Sequence, residues 1–240
     1  MIRIVKTRVN IFRFISYIFL LIIGLFLSSC RDNSKYVDYS KLIIDKVVEI
    51  KICDSDDNII GYATGTVISK DGDILTNRHV VRRYNNGSNA YEYYSNFYCR
   101  YYNEDDYFDV TIKEVSNEYD LAILESKKTT DNYFVPSDCR PKMSEEVHTI
   151  GNSNGFGLAY SRGYIAIDKI YVLYENKNNL YINVSMPINE GNSGGPLVSN
   201  SGELYGIITF RLKNKSGETI SSNCYCITMS NVLDFIQNKK

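Results

Sequence analysis

The chain has 240 residues, of which 44% are apolar, so it can bury a sizeable core and is not an intrinsically disordered protein. Its formal net charge of −1 at pH 7 gives no electrostatic reason to expect a nucleic acid as a partner. It has only 2 histidines, and no cysteine pair stands at metal-site spacing with them, so we expect neither a metal nor a cofactor.

Residues 1–29 follow the pattern of an export signal. Basic residues without acidic ones precede an apolar run that begins at Phe14. The run is short for crossing a bilayer, which favours a cleaved signal over a transmembrane anchor. It ends in Leu27-Ser28-Ser29-Cys30, which resembles the lipobox of bacterial lipoproteins. The resemblance implies that Cys30 carries acyl chains and that residues 30–36 tether the protein to a membrane of the bacterial cell envelope.

Residues 37–240 are predicted to form one domain. Apolar residues at near-helical spacing between Val37 and Val47 predict a short helix. From Val48 onwards, short runs rich in β-branched and aromatic residues alternate with Asp, Asn and Gly turn signals. These runs form two successive sets of about six, divided near residues 136–142.

Two sets of about six strands predict an all-β fold of two packed six-stranded antiparallel barrels. We expect the N-terminal barrel over residues about 47–135 and the C-terminal barrel over residues about 142–229. Ser230, as the N-cap, is predicted to start a closing helix over residues about 230–238.

Tyrosines are dense between Tyr84 and Tyr107. Clustered tyrosines make rigid, amphipathic contact surfaces, so one interpretation of this segment is a loop that binds a partner or gates the substrate. The other interpretation, which we favour, is an elongated hairpin packed on its own barrel.

The cysteine count leaves the disulfide pairing open. A lipidated Cys30 leaves an odd number of thiols, and an exported compartment permits disulfides among them. Cys224 and Cys226 alternate on one side of a predicted strand, where they either fill the core or form a bridge. The remaining thiols are Cys53, Cys99 and Cys139.

The strongest chemical signal is the segment Gly191-Asn192-Ser193-Gly194-Gly195-Pro196-Leu197. Glycines on both sides of Ser193 leave the turn unshielded, so the amides of Gly191 and Ser193 can approach a substrate carbonyl and stabilise an oxyanion. Ser193 is therefore the predicted nucleophile, which requires a histidine and a carboxylate elsewhere in the chain.

His79 is the predicted general base, because it follows an apolar strand that ends at Thr76 and because imidazole titrates near neutral pH. His148 has no exposed turn beside it and is expected to be structural. Asp120 opens an apolar strand that can hold it out of bulk water, so it is the predicted carboxylate that orients His79. Its rivals stand in a polar stretch typical of a solvated loop and are Asp105, Asp106 and Asp109.

Together these segments resemble the trypsin-fold serine proteases, and among them the bacterial HtrA/Deg group. The matching pieces, in the order His, Asp, Ser, are Gly65-Thr66-Val67-Ile68, Thr76-Asn77-Arg78-His79-Val80-Val81, Asp120-Leu121-Ala122-Ile123-Leu124, Ile150-Gly151-Asn152, Gly155-Phe156-Gly157-Leu158 and Ile188-Asn189-Glu190-Gly191-Asn192-Ser193-Gly194-Gly195-Pro196-Leu197. The resemblance implies a serine endopeptidase that acts on protein or peptide substrates through an acyl-enzyme.

The resemblance also implies several details. Asn192 stands where digestive relatives carry an aspartate that pairs with a new terminal amine, so zymogen activation of that kind is not expected. Regulation is instead expected from loops such as Gly155–Ser161. Pro187 stands near the base of the primary pocket and implies a small or medium apolar P1 residue. We expect no PDZ domain, and the aromatic candidates for a homotrimer contact are Tyr36 and Tyr39.

The leading hypothesis is an active, lipid-anchored serine endopeptidase of the cell envelope that serves protein quality control or processing. The alternative is a catalytically silent trypsin-fold lipoprotein that binds or adheres through its tyrosine-rich segment. The ordered set of His79, Asp120 and Ser193 weighs against it. An esterase or another acyl hydrolase would share the chemistry, but Ser193 lacks the strand-turn-helix G-x-S-x-G elbow of that class.

Overall fold

The structure is a computed structural model that describes residues 14, 16–19, 37–174, 176–213 and 219–238. The chain divides into two units, Met1–Asp38 and Tyr39–Lys240. In the first unit the described residues 14 and 16–19 are helical. No helix in the described part of the chain is long and apolar enough to span a membrane. Cys30 and the predicted tether, residues 30–36, lie outside the described residues.

Six antiparallel strands of the second unit close into a first barrel, in the order β1-β2-β3-β8-β7-β6. They are rich in β-branched and aromatic residues, which suit a pleated surface buried on at least one face. The strands are β1 (Val47–Cys53), β2 (Ile59–Val67), β3 (Asp73–Thr76), β6 (Asn96–Tyr101), β7 (Phe108–Val115) and β8 (Ala122–Ser126).

Six further antiparallel strands close into a second barrel, in the order β10-β11-β14-β13-β12-β9. The strands are β9 (Glu146–Asn152), β10 (Leu158–Tyr174), β11 (Lys177–Ser185), β12 (Pro196–Ser199), β13 (Leu204–Lys213) and β14 (Thr219–Thr228). The two closed rings confirm the predicted all-β class with two six-stranded antiparallel barrels. Within the two rings, closure pairs each strand on both sides and leaves no open sheet edge.

The helical segments are short. The predicted N-terminal helix takes the form of two 3-10 turns, Tyr39–Leu42 and Ile44–Lys46. Helix α1 (Arg78–Val81) follows β3, and helix α2 (Met229–Gln237) follows β14. The N-cap of α2 is Thr228 and not Ser230, because Thr228 is the last residue with extended backbone and its side chain accepts a hydrogen bond from the Asn231 amide. Ser230 already lies inside the helix.

Three buried apolar clusters hold the second unit together. One fills the first barrel around Ile50 and Leu124, and one fills the second barrel around Val184 and Ile208. The third joins the two barrels and α2, and it includes Leu75, Leu121, Ile123, Ile150, Val198, Val232 and Phe235. Each fully buried aliphatic side chain contributes about 1.5–3 kcal/mol, so this shared cluster fixes the barrels against each other.

The tyrosine-rich segment begins as a two-stranded hairpin of β4 (Arg82–Asn85) and β5 (Ala90–Tyr93). The guanidinium carbon of Arg82 lies 4.3 Å from the ring centroid of Tyr91. This cation–π contact joins the two strands of the hairpin. The Tyr94 amide donates a hydrogen bond to the Val81 carbonyl at 3.0 Å. This bond fixes the end of the hairpin beside α1.

The described cysteines are Cys53, Cys99, Cys139, Cys224 and Cys226, and all five are free thiols. Cys224 and Cys226 are both buried in the core of the second barrel, so they fill the core and do not form a bridge. Burial raises the pKa of the Cys226 thiol, which keeps it protonated and unreactive.

Candidate active site

His79 lies in α1, directly after the strand that the sequence predicted would precede it. The two residues before His79 anchor a loop of the same barrel. The buried Asn77 side chain donates to the Asp120 carbonyl at 2.9 Å, and the Arg78 guanidinium donates to the Ser116 carbonyl at 3.1 Å. These bonds bring the loop that precedes β8, with Asp120, up to the imidazole.

His79 and Asp120 meet through two hydrogen bonds. His79 Nδ1 lies 2.7 Å from Asp120 Oδ2, and the His79 amide donates to Asp120 Oδ1 at 3.0 Å. Asp120 is only 2% exposed. Its burial alone would raise the pKa of the carboxyl group, but attraction to His79 and hydrogen bonds from His79 and Thr209 outweigh burial and lower that pKa. Asp120 is therefore an ionised hydrogen-bond acceptor that orients the ring.

Thr209, on β13 of the second barrel, forms hydrogen bonds with both Asp120 and Ser193. Its Oγ1 donates to Asp120 Oδ2 at 2.6 Å, and its carbonyl accepts a hydrogen bond from Ser193 Oγ at 3.0 Å. One residue of the second barrel thus connects the carboxylate of the first barrel to the predicted nucleophile.

Ser193 lies in the turn between β11 and β12, between two glycines with left-handed backbone. The φ of Gly191 is +90° and that of Gly194 is +87°, a conformation that side chains rarely adopt. Space is also lacking, because a Cβ on Gly194 would lie 2.1 Å from the Thr64 carbonyl oxygen and a Cβ on Gly191 would lie 2.0 Å from the Asn152 carbonyl oxygen. The turn is therefore a close-packed structure that only glycine permits at these two positions.

The amides of Gly191 and Ser193 point away from the carbonyls that precede them in the chain, because a trans peptide holds C=O and N–H on opposite sides. The Glu190 carbonyl accepts a hydrogen bond from the Asn154 amide at 2.7 Å, and the Asn192 carbonyl accepts one from the Gly195 amide at 3.0 Å. Within the described residues, neither the Gly191 nor the Ser193 amide donates to a protein acceptor. Both are free for a ligand oxygen.

His79, Gly191 and Ser193 line one open cleft of about 240 Å³. The other lining residues come mainly from β2, with single residues from β1, α1 and the end of the tyrosine-rich hairpin, and include Ile52, Ile60, Ala63, Val80 and Tyr94. Pro187, the predicted pocket residue, is exposed and does not line this cleft. A separate cavity of about 310 Å³ on the second barrel contains none of the predicted catalytic residues.

The rival residues lie elsewhere. Asp105, Asp106 and Asp109 are exposed; the first two lie in a loop as predicted, whereas Asp109 lies on β7. His148 is fully buried, its ring stacks on Tyr39 with centroids 4.3 Å apart, and its Nδ1 lies 2.6 Å from the Tyr160 hydroxyl. Among the described residues, no group of three His, Cys, Asp or Glu side chains could hold a metal ion.

Sequence reasoning missed Thr64 and Thr209, which contact the site residues directly. Thr64 donates from its backbone amide to the Ser193 carbonyl at 2.9 Å and from Oγ1 to the Gly191 carbonyl at 2.6 Å. Both threonines are buried in otherwise apolar strands. A polar residue at a core position of such a strand needs a hydrogen-bond partner, and this was the available signal.

The chain matches the family model described as a trypsin-like peptidase domain over residues 63–207. It is 28% identical over 157 residues to the serine endoprotease DegS of Haemophilus influenzae, a match that covers 65% of this chain and 43% of that protein. It is 33% identical over 153 residues to a probable periplasmic serine endoprotease DegP-like of Buchnera aphidicola, covering 62% of this chain and 30% of that protein.

These matches span less than half the length of the curated relatives. Among solved structures, the active form of the Rv3671c protease from M. tuberculosis matches with a TM-score of 0.68 at 19% identity. The match covers 82% of this chain and 82% of that chain. At that identity the likeness concerns the fold. The residues matched by the family model include His79, Asp120 and Ser193.

Proposed function

Because this chain belongs to the trypsin-like peptidase family, we propose that it is a serine endopeptidase in which Ser193, His79 and Asp120 form a catalytic triad. One observation carries the proposal. The buried Asp120 carboxylate pairs with His79 Nδ1 at 2.7 Å, while the other side of His79 shares a cleft with Ser193 and two unoccupied backbone amides.

The first step is attack on the scissile carbonyl. Pairing of Nδ1 with Asp120 leaves Nε2 of His79 as the acceptor, so Nε2 is the atom that takes the Ser193 proton. In the structure Ser193 Oγ donates to the Thr209 carbonyl at 3.0 Å. Rotation about χ1 moves the hydroxyl from that carbonyl to the imidazole, as catalytic hydrogen bonds commonly tighten when substrate binds.

The developing oxyanion lies between the amides of Gly191 and Ser193, which are held in place before the reaction begins. Removal of one such donor typically costs 10²–10³-fold in kcat. The His79 imidazolium then protonates the leaving amine. Water, deprotonated by the same ring, releases the acyl group from Ser193. Asp120 remains ionised throughout and stabilises the imidazolium.

A fluorophosphonate probe on the full-length chain tests the proposal. We expect covalent labelling of the wild type, none of Ser193→Ala, and at least a hundredfold slower labelling of His79→Ala. Ser185→Ala, which removes an exposed serine on β11, serves as the control and should label like the wild type. A folded wild-type sample that fails to label would overturn the proposal and favour a catalytically silent binding protein.

Cleavage of a denatured protein distinguishes an endopeptidase from an esterase. From the family resemblance alone we propose a small or medium apolar P1 residue, because the position that implies P1 selection is the uncharged Pro187, although Pro187 does not line the cleft around Ser193. Mass spectrometry of the fragments reads the P1 residues directly. Dominant cleavage after Lys, Arg or Glu would contradict the preference without contradicting the triad.

We further propose that Cys30 is lipidated and holds the protease at the envelope, where it serves protein quality control or processing. The Leu-Ser-Ser-Cys sequence supports this. Detergent phase partition of wild type and Cys30→Ser tests it, since only the wild type should enter the detergent phase. From the resemblance to the HtrA/Deg group we also propose that the functional unit is a homotrimer. Light scattering that gives the mass of one chain would contradict this.

A further inference from the structure

A carboxylate of the first barrel, Glu49, lies buried where the two barrels meet. It stands on β1 and is 5% exposed. Oε1 accepts a hydrogen bond from Arg100 Nε on β6, and Oε2 accepts one from Asn152 Nδ2, at the end of β9, at 3.2 Å. A buried charge is costly unless it is paired and hydrogen-bonded, so both partners are required parts of this arrangement.

Asn152 joins Glu49 to the turn that carries Ser193. Asn152 is fully buried. Its Oδ1 accepts a hydrogen bond from the Gly157 amide at 2.9 Å, and its own amide donates to Thr64 Oγ1 at 2.9 Å. Its carbonyl oxygen lies directly against Gly191, where it occupies the space that a Cβ would need.

Thr64 completes the connection. A hydroxyl has one proton, and that of Thr64 is donated to the Gly191 carbonyl at 2.6 Å while the same oxygen accepts from Asn152. The Thr64 amide holds the Ser193 carbonyl at 2.9 Å. Asn152 and Thr64 thus contact the turn on both sides of Asn192, around the two amides that face the cleft.

We propose that Glu49 is a positioning residue for the oxyanion site and acts through Asn152 and Thr64 on the Gly191–Ser193 turn. This inference rests on the proposed function. Its physical basis is the direction of the Asn152 amide. The amide NH₂ only donates and the amide oxygen only accepts, so the carboxylate of Glu49 selects the orientation in which Oδ1 faces the Gly157 amide.

The tyrosine-rich segment supplies two further residues beside Glu49, Arg100 and Tyr107. Arg100 pairs with Glu49, and its guanidinium carbon lies 4.7 Å from the ring centroid of Tyr107. Burial and the negative charge of Glu49 raise the pKa of Tyr107 to about 12, so Tyr107 stays neutral beside the carboxylate. The charge of Glu49 is balanced by Arg100, the neutral Tyr107 hydroxyl also hydrogen-bonds to the carboxylate, and Oε2 accepts from Asn152.

The test is Glu49→Gln, which keeps the shape of the side chain but places an NH₂ group against either Arg100 or Asn152. We expect kcat for peptide cleavage and the rate of fluorophosphonate labelling to fall roughly tenfold to a hundredfold, with KM within about twofold, because a misplaced turn weakens binding of the transition state alone. Glu125→Gln, which removes an exposed carboxylate on β8, is the matched control and should react like the wild type.

The double variant E49Q/N152D reverses the hydrogen bond between positions 49 and 152, so that position 49 donates and position 152 accepts. The new carboxylate accepts from both the introduced amide and the Gly157 amide, so at least half of the lost rate should return. A merely structural role predicts no such rescue. If the wild type labels and folded Glu49→Gln labels at the same rate, only this inference is overturned. If the wild type does not label, the proposed function itself fails.

If Glu49→Gln fails to fold, Thr64→Val tests the proposal instead. This variant removes the Thr64 hydroxyl but keeps the hydrogen bond from the Thr64 backbone amide to the Ser193 carbonyl. A folded Thr64→Val with slowed labelling and unchanged KM supports the network, whereas an unchanged rate overturns it. Failure of both variants to fold also overturns it, since the network would then maintain stability and not geometry.

Discussion

Thr209→Val removes a single hydrogen bond from the buried carboxylate of the site and changes little else. The variant retains the shape of the side chain and the backbone carbonyl that accepts from Ser193. It deletes the 2.6 Å bond from Oγ1 to Asp120 Oδ2. Asp120 is 2% exposed, so water cannot replace the lost donor without a rearrangement.

A hydrogen bond to a buried charge contributes about 1.5–3 kcal/mol. For a chain of this size 1 kcal/mol shifts Tm by about 2–4 °C, so Tm should fall by about 3–12 °C. If the same free energy is lost from the transition state, kcat should fall by about tenfold to 150-fold. Calorimetry measures the fall in Tm, and initial rates of peptide cleavage measure the fall in kcat.

Thr149→Val is the matched control. Thr149 is equally buried on β9, but its Oγ1 has no hydrogen-bond partner in the structure, so loss of this hydroxyl should be neutral or stabilising. Thr209→Ser, which keeps the donor, should retain most of the activity. The reasoning is refuted if Thr209→Val changes Tm and kcat no more than Thr149→Val does.

Two further predictions concern Asp120 and Gly191. The lowered pKa of Asp120 means that it stabilises the fold above its unfolded pKa of about 3.9 and that this contribution is lost as pH falls through the lower folded value. Urea unfolding should therefore show a stability gap between wild type and Asp120→Asn that is full at pH 7 and shrinks below about pH 4; a gap that widens on acidification contradicts the assignment. Gly191→Ala should abolish labelling, because its Cβ would lie 2.0 Å from the Asn152 carbonyl oxygen, whereas Gly202→Ala, at a similar φ of +87° but with no atom closer than 3.8 Å, should lose only stability; equal labelling of the two would count against a closely packed turn at Gly191.

The fold class could be predicted from the sequence because strand signals are local. β-branched runs and Asp, Asn or Gly turns mark each strand independently of the others, and their division into two sets gave the two barrels. The N-cap of α2 was misassigned to Ser230 because Thr228 and Ser230 are both acceptable caps. Only the backbone path at the end of β14 distinguishes them.

The pairing of His79 with Asp120 was predicted from residue type and flanking strands, and the structure brings the two side chains together. Thr64, Asn152 and Thr209 could not be predicted in the same way. Their contacts join β2, β9 and β13, which belong to different barrels, and no local pattern records which buried polar residues meet across that boundary. Such partners become visible only when the packing of the barrels is known.

The proposed catalytic residues come from both barrels, so neither barrel alone holds a complete site. The first barrel carries the proposed base and its carboxylate, and the second carries the proposed nucleophile in a turn whose carbonyls accept hydrogen bonds from β2. A chain that has emerged only as far as the first barrel has no nucleophile, and an undocked second barrel has no base. Under the proposed mechanism, cleavage therefore requires both barrels to be folded and packed together.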